Sequence, residues 1–226
     1  MVVWERPEPP DRPAPAPLSR ERIVRAAIEL ADADGLDAVS LRKVAAALDV
    51  GPMRLYGYIA TKEELLDLMV DAVHAEIRPT GQGWREVLGS FAEATRQVAH
   101  RHEWLADLLG GRPQLGPNTL VTGESVLAAM GDVDLGVVVP AVGAVTAYVI
   151  GAVRREITER RAERASGLNQ EQWQTTYGPY LTRTFATGRF PALARMVHDG
   201  PHLDADETFR TGLDFVLDGI EARLSR

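Results

Sequence analysis

The chain has 226 residues, 45% of them hydrophobic, and a formal net charge of −7. That length allows one large domain or two small ones around a real core, and the negative balance argues against a general, nonspecific nucleic-acid binder, because its electrostatic term would be repulsive over most of the surface. With no cysteine, a disulfide framework, a thiol nucleophile and a thiolate metal site are excluded, and a cytoplasmic location is the simplest reading.

The first stretch, MVVWERPEPPDRPAPAP, has six prolines in seventeen residues, mixed charges and no continuous apolar run. It reads as a disordered Pro-rich tail over residues 1–18, not as a signal peptide. Ser19 is a good N-cap for a helix carrying Ile23, Ala27, Leu30 and Ala31 at helical spacing, with Gly35 as its stop. Ser40 then caps a short helix with Leu41, Val44, Ala45 and Leu48 inward. Asp49-Val50-Gly51-Pro52 has turn chemistry, and Met53 to Ile59 predicts a second short helix. Two short helices joined in this way form a helix-turn-helix, whose second helix enters the major groove. Thr61 caps a longer helix with Glu63 and Glu64 in its first turn and the stripe Leu65, Leu66, Met69, Val73 and Ile77. Pro79 and Gly81 end it. Residues 19–78 are therefore read as a helix-turn-helix domain whose last helix, 62–78, links to a second domain over 79–226.

In that second domain, Trp84, Val87, Leu88, Phe91, Thr95, Val98 and Ala99 predict a helix, followed by a shorter one around Trp104 to Leu109 and another from Asn118 or Thr119 to Met130. Leu135 to Val153 holds nineteen residues without a charge, long enough to be a transmembrane candidate. Its glycines, Pro140 and an amphipathic continuation through Ile157 favour a helix buried on several sides. No membrane partner is expected. Gly143, Ala147 and Gly151 recur every fourth position, a flat strip that another helix can approach closely. RRAERASGLNQ is read as a polar connection. Asn169 with Gln172 resembles a capping box for a helix holding Trp173 and Tyr177, interrupted at Gly178-Pro179. Pro191 starts a short helix, and Asp204 or Asp206 caps a last one with the stripe Phe209, Leu213, Val216, Leu217, Ile220 and Leu224. With no convincing strand, the fold class is all-α: an N-terminal three-helix helix-turn-helix domain joined through a linking helix to a larger helical domain.

Between Val39 and Lys62 stand four cations, Arg42, Lys43, Arg54 and Lys62, against one acid, Asp49, and they include both lysines of the chain. A basic end on an acidic protein suggests one specific polyanionic partner. The apolar first helix running into ADADGLDAVSLRKVAAALDVG, and then LYGYIATKEELL, resembles the N-terminal domain of the TetR family of ligand-responsive transcriptional repressors. LLGGRPQLGPN and AYVIGAVRRE resemble the C-terminal domain of its tetracycline-repressor subgroup.

The resemblance implies a homodimer on a palindromic double-stranded DNA operator, released by a small-molecule effector that shifts the linking helix. Lys62, at a helix N-terminus, is the expected phosphate contact, Tyr58 matches the family's phosphate-contacting position, and the Tyr56 hydroxyl reaches the DNA backbone. Arg42 and Arg54 are the candidates for bidentate contacts to guanine, with a phosphate contact as the alternative for either, Pro52 and Met53 for thymine methyls, and Ser40 for a cap that also donates to phosphate. Gly57 departs from the pattern, standing where many members have a bulky residue. In the subgroup that senses tetracycline with magnesium, a histidine occupies the position of Leu108, so metal–tetracycline sensing by the usual geometry is not expected. Trp104, Leu105, Leu108, Met130, Tyr148, Trp173 and Tyr177 suggest a hydrophobic organic ligand, with core filling as the competing explanation. The dimer seam is expected to use Gly143, Ala147, Gly151, Leu213, Leu217 and Ile220.

His100 and His102 cannot share a helix face, and Gly200-Pro201 separates His198 from His202, so neither a metal nor another cofactor is expected. Glu156, Glu159 and Glu163 among arginines read as a solvated, salt-bridged face, and no nucleophile motif points to an enzyme. The remaining alternative is a helical small-molecule-binding protein without a gene-regulatory role.

Overall fold

The structure is a computed structural model, and it describes residues 2–10, 17–111, 114–168, 170–201 and 203–225. The side chains of residues 170, 171, 173 and 174 are not among them. Asn169, His202 and the Trp173 side chain therefore lie outside the described residues.

The head begins with α1 (Arg20–Asp34), where Ser19 Oγ accepts the N–H of Arg22 and Gly35, at φ +81°, ends the helix. Ser40 Oγ accepts from Lys43 N at 3.2 Å to open α2 (Leu41–Ala47). The recognition helix α3 (Pro52–Leu55) is shorter than the expected Met53–Ile59. After Leu55 the chain turns, its carbonyl accepting both Tyr58 N and Ile59 N at 2.9 Å, at the point where Gly57 lowers helix propensity. Thr61 Oγ1 accepts Glu64 N at 3.1 Å and starts α4 (Lys62–His74). Ile23, Ala27, Val44, Ala45, Leu55, Ile59, Leu65 and Met69 bury together as the centre of the head.

The larger helical part follows as α5 (Trp84–Arg101), α6 (Leu105–Leu108), α7 (Pro117–Ala128), α8 (Leu135–Ser166), α9 (Gln170–Phe185), α10 (Pro191–Asp199) and α11 (Ala205–Leu224). α8 is the axial element, packed against both α5 and α11. Its buried face is Val138, Ala141, Val145, Val149, Val153 and Ile157. By length and composition α8 is apolar enough to cross a membrane, a test that core helices also pass.

Two expectations for this region need correction. RRAERASG is not a loose connection: α8 continues to Ser166 because its arginines find acids on the α5–α6 corner, Arg161 with Asp107 at 2.9 Å and Arg164 with Glu103. Gly178-Pro179 does not interrupt α9. The helix runs on through Pro179 to Phe185, and beyond the proline the Thr182 hydroxyl donates to the Gly178 carbonyl at 3.0 Å. In α11, Asp204 and Glu207 form a reciprocal capping box, a device that stabilises a helix start by about 1 kcal/mol.

The N-terminal segment also differs from the expected disordered tail. Val3–Glu5 forms a 3-10 turn with Val3 buried, and Trp4 packs against the hydrophobic core. Prolines forbid a regular helix, but an extended chain with apolar anchors can still lie along a helical surface.

Candidate DNA-binding surface and its coupling to the core

At one end of the head, Arg42 and Lys43 on α2, Pro52, Met53 and Arg54 on α3, Tyr56, and Lys62 at the first position of α4 are all exposed, with Ser40 half-buried as the α2 cap. Met53 is 79% and Tyr56 51% exposed. Met53, on α3, and Tyr56, just past its end, both stand outside the buried core of the head. Tyr58 is corrected: it is 8% exposed and belongs to the hydrophobic core. The two tyrosines thus divide as their spacing of two residues requires, but with Tyr56, not Tyr58, presenting the free ring.

The linking helix α4 is fastened to the core at Asp71. This buried carboxylate accepts Asn118 N at 3.3 Å, Asn118 Nδ2 at 2.9 Å, Thr119 N at 2.9 Å and Thr119 Oγ1 at 3.1 Å. It therefore caps the N-terminus of α7 from another helix, meeting both the unpaired N–H groups and the positive end of the dipole. Gly116 makes room for it, since a Cβ there would fall 2.2 Å from Asp71 Oδ1.

A second junction joins α1, α4 and the α5–α6 corner. Trp104 Nε1 donates to Asp32 Oδ1 at 2.7 Å, and His102 lies between Asp32 (Nδ1 to Oδ1, 2.8 Å) and Glu76 (Nε2 to Oε1, 3.3 Å). Both imidazole contacts are hydrogen bonds only when both ring nitrogens carry protons. Burial works against ionised Glu76, yet hydrogen bonds from Arg101 and His102 hold its carboxyl below the ordinary range. These pairings were not legible in the sequence, because the partners lie 25 to 72 positions apart.

Inside the core, Glu156 is no solvated surface acid. It is buried and accepts from Arg96 Nε at 2.9 Å and from His100 Nε2 at 2.6 Å. Burial would raise its pKa, but the His100 and Arg96 hydrogen bonds win and hold the carboxyl below its usual range. Arg96 also pairs with Asp206 at 2.8 Å and stacks over the Phe209 ring at 4.7 Å.

The residues expected to meet a ligand are placed unevenly. Leu105 and Met130 are buried in the core, Leu108 packs against it, and Tyr177 is exposed. Tyr148 is half-buried, its hydroxyl donating to the Phe209 carbonyl at 2.8 Å, close enough that a Cβ on Gly212 would sit 2.3 Å away. That side chain pins α8 to α11. Trp104 lines a polar cleft of about 750 Å³ with Asp32, Asp34, Asp37, Arg101, Arg161 and Arg164, and Leu105, Leu108, Met130 and Tyr148 do not line it.

The seam residues also separate. Gly143, Ala147 and Gly151 are exposed along α8. Leu213, Leu217 and Ile220 are buried within the chain, because that stripe of α11 faces its own α8 and α5. The exposed apolar side chains of this face are instead Leu135, Val139 and Phe215.

Comparison with known proteins agrees with this arrangement. Residues 23–69 match the family of bacterial regulatory proteins named for tetR, and residues 78–224 match the tetracyclin repressor-like C-terminal domain. An HTH-type transcriptional repressor, DrrR1 of Streptomyces coeruleorubidus, is 36% identical over 236 aligned positions, covering 100% of this chain and 85% of the relative. The class D tetracycline repressor protein of Escherichia coli is 26% identical, covering 93% and 92%. The structure of ActR from Streptomyces coelicolor in complex with actinorhodin superposes with a TM-score of 0.80 at 28% identity, covering 92% of this chain and 98% of that one. A complex of ActR with (S)-DNPA gives 0.75 at 27% identity, covering 92% and 100%. The chain belongs to the TetR family of transcriptional regulators, ligand-responsive repressors that bind DNA through the helix-turn-helix head.

Proposed function

We propose that the chain acts in the cytoplasm as a homodimer on a palindromic operator, with Arg42, Arg54, Pro52 and Met53 facing bases and Ser40, Tyr56 and Lys62 facing the backbone. The observation that carries this reading is the group of exposed cations on α2, α3 and the start of α4, on a chain of net charge −7. Twofold symmetry would place the two recognition helices roughly 34 to 36 Å apart, or a multiple of that spacing.

Support for a second copy on this face comes from an apolar groove of about 750 Å³ between α8 and α11, lined by Val137, Pro140, Ala144, Phe215 and Val216, beside the exposed Gly143–Ala147–Gly151 strip. A small, hydrophobic organic effector is favoured by the ligands named for ActR and by Leu108 replacing the subgroup's metal-binding histidine. Its binding weakens operator affinity if it favours a core in which α4 has shifted, and a coupling of about 1 to 3 kcal/mol gives a roughly 5- to 150-fold effect. The Asp71 and Asp32 junctions are candidate routes by which such a shift would reach the head.

The test is operator retention by Lys62→Ala and Arg54→Ala on a duplex from the gene's own upstream region at fixed salt. Both variants are expected to lose affinity. If both bind as the wild type does, this DNA surface is wrong.

A further inference from the structure

We propose that residues 3–10 form a strap that sets the orientation of the recognition helix, with Arg6 a positioning residue for operator binding; this rests on the operator-binding reading above. The strap is anchored at one end by Val3, buried, and by Trp4, which lines a groove with Val24 and Ile28 of α1 and Leu68 of α4. From there Arg6 reaches the turn between α3 and α4. Its Nη1 and Nη2 donate to Glu64 Oε1 at 3.1 Å and Oε2 at 2.5 Å, and Nη2 also donates to the Tyr58 carbonyl at 3.2 Å.

Glu64 Oε2 in turn accepts Ala60 N at 2.7 Å. One guanidinium and one carboxylate therefore hold both sides of the turn that delivers Tyr56 and Lys62. Arg20 locks the strap to α1: its Nη2 donates to the Arg6 carbonyl at 2.9 Å, and its backbone N–H to Glu8 Oε2 at 3.2 Å. The Arg6 hydrogen bond outweighs desolvation and holds the Glu64 carboxyl below the usual carboxylate range, so the clasp is closed at neutral pH.

The far end explains Gly57. A Cβ on Gly57 would meet Pro9 Cγ at 3.2 Å, tighter than ordinary contact, so the bare backbone is the seat on which Pro9 rests. Beyond it, Pro9 and Pro10 wall a groove of about 290 Å³ with Met53 and Arg54 of the recognition helix. The strap reaches the DNA-facing side without being cationic: residues 3–10 carry Glu5 and Glu8 against Arg6 alone. A segment of that charge is a poor phosphate ligand. Its contacts are with α1, α4 and the turn between α3 and α4, which makes it a brace and not an arm on the duplex.

The experiment uses full-length protein, well below its melting temperature, on a duplex from the gene's upstream region and on an unrelated duplex, over a salt series. Arg6→Ala and deletion of residues 2–9 are each expected to weaken specific binding about tenfold, the scale of losing charge-assisted hydrogen bonds. Arg6→Lys is expected not to restore it, because an ammonium cannot span both carboxylate oxygens and the carbonyl. Unrelated DNA and the slope of log affinity against log salt are expected to stay as in the wild type. Unchanged specific affinity beside a lowered melting temperature overturns the proposal in favour of a purely structural strap. A slope reduced by about 1 overturns it in favour of direct phosphate contact. Wild-type behaviour of Lys62→Ala and Arg54→Ala instead overturns the operator reading itself, and a wild type that binds both duplexes alike does the same.

Discussion

Asp71 on α4 accepts the backbone N–H of Thr119 on α7 at 2.9 Å, so the helix that carries Lys62 at one end is bolted through its middle to the core. A rigid helix held at both a DNA-facing start and a core-facing latch transmits displacement at either end to the other. The connection is a bidentate cap of four donors.

Removing that cap should be costly. Asp71→Ala leaves the N–H groups of the half-buried Asn118 and Thr119 without their carboxylate, and about 2 kcal/mol of stability is expected to go, the upper range for a helix cap. Gly116→Ala should reproduce part of the loss by pushing the carboxylate away. Urea unfolding measures both, and a loss below a few tenths of a kcal/mol for Asp71→Ala would show that water replaces the cap.

The Arg96–Glu156 pair makes a prediction about acid. Glu156 has a folded-state pKa below its unfolded one, so its stabilisation is full above the unfolded value, about 4.3, and is lost as pH falls through the folded value. Glu156→Ala should cost about 3 kcal/mol at pH 7 by removing the buried carboxylate from Arg96 and leaving that buried guanidinium to the exposed Asp206. The variant's stability should then decline less steeply than the wild type's below about pH 4.3. Parallel acid profiles would contradict the assignment.

Dimerisation separates two kinds of variant. Gly151→Arg and Phe215→Glu place charge on the exposed face of α8 and α11, and should give a folded monomer by light scattering and circular dichroism. Leu217→Glu buries a carboxylate inside one chain and should unfold it. A stable dimer in both surface variants would move the seam elsewhere.

Local signals carried much of this architecture. Ser19, Ser40, Thr61 and Asp204 each cap the helix that follows them, because capping is decided within three residues. The apolar stripes marked the buried faces for the same reason. Longer-range partners were not legible: Glu156 sits among arginines in sequence, but its partners Arg96 and His100 come from α5, 60 and 56 positions away. The extent of α8 was missed because RRAERAS is polar, and its acid partners lie on a different helix. For the site, the exposed cations were found from charge alone. Tyr58, placed on the DNA side by the family resemblance, is buried, and the α11 stripe meets its own α8 and α5, because periodicity names a face but not what covers it.

The chain's only lysines, Lys43 and Lys62, both stand exposed on the head. Amine-directed chemistry therefore has no lysine to touch in α5 through α11. Acylation would silence two of the four cations there while leaving the core intact, and bound DNA should shield both amines from the reagent. The protein thus carries its own footprinting label, read by mass at two positions.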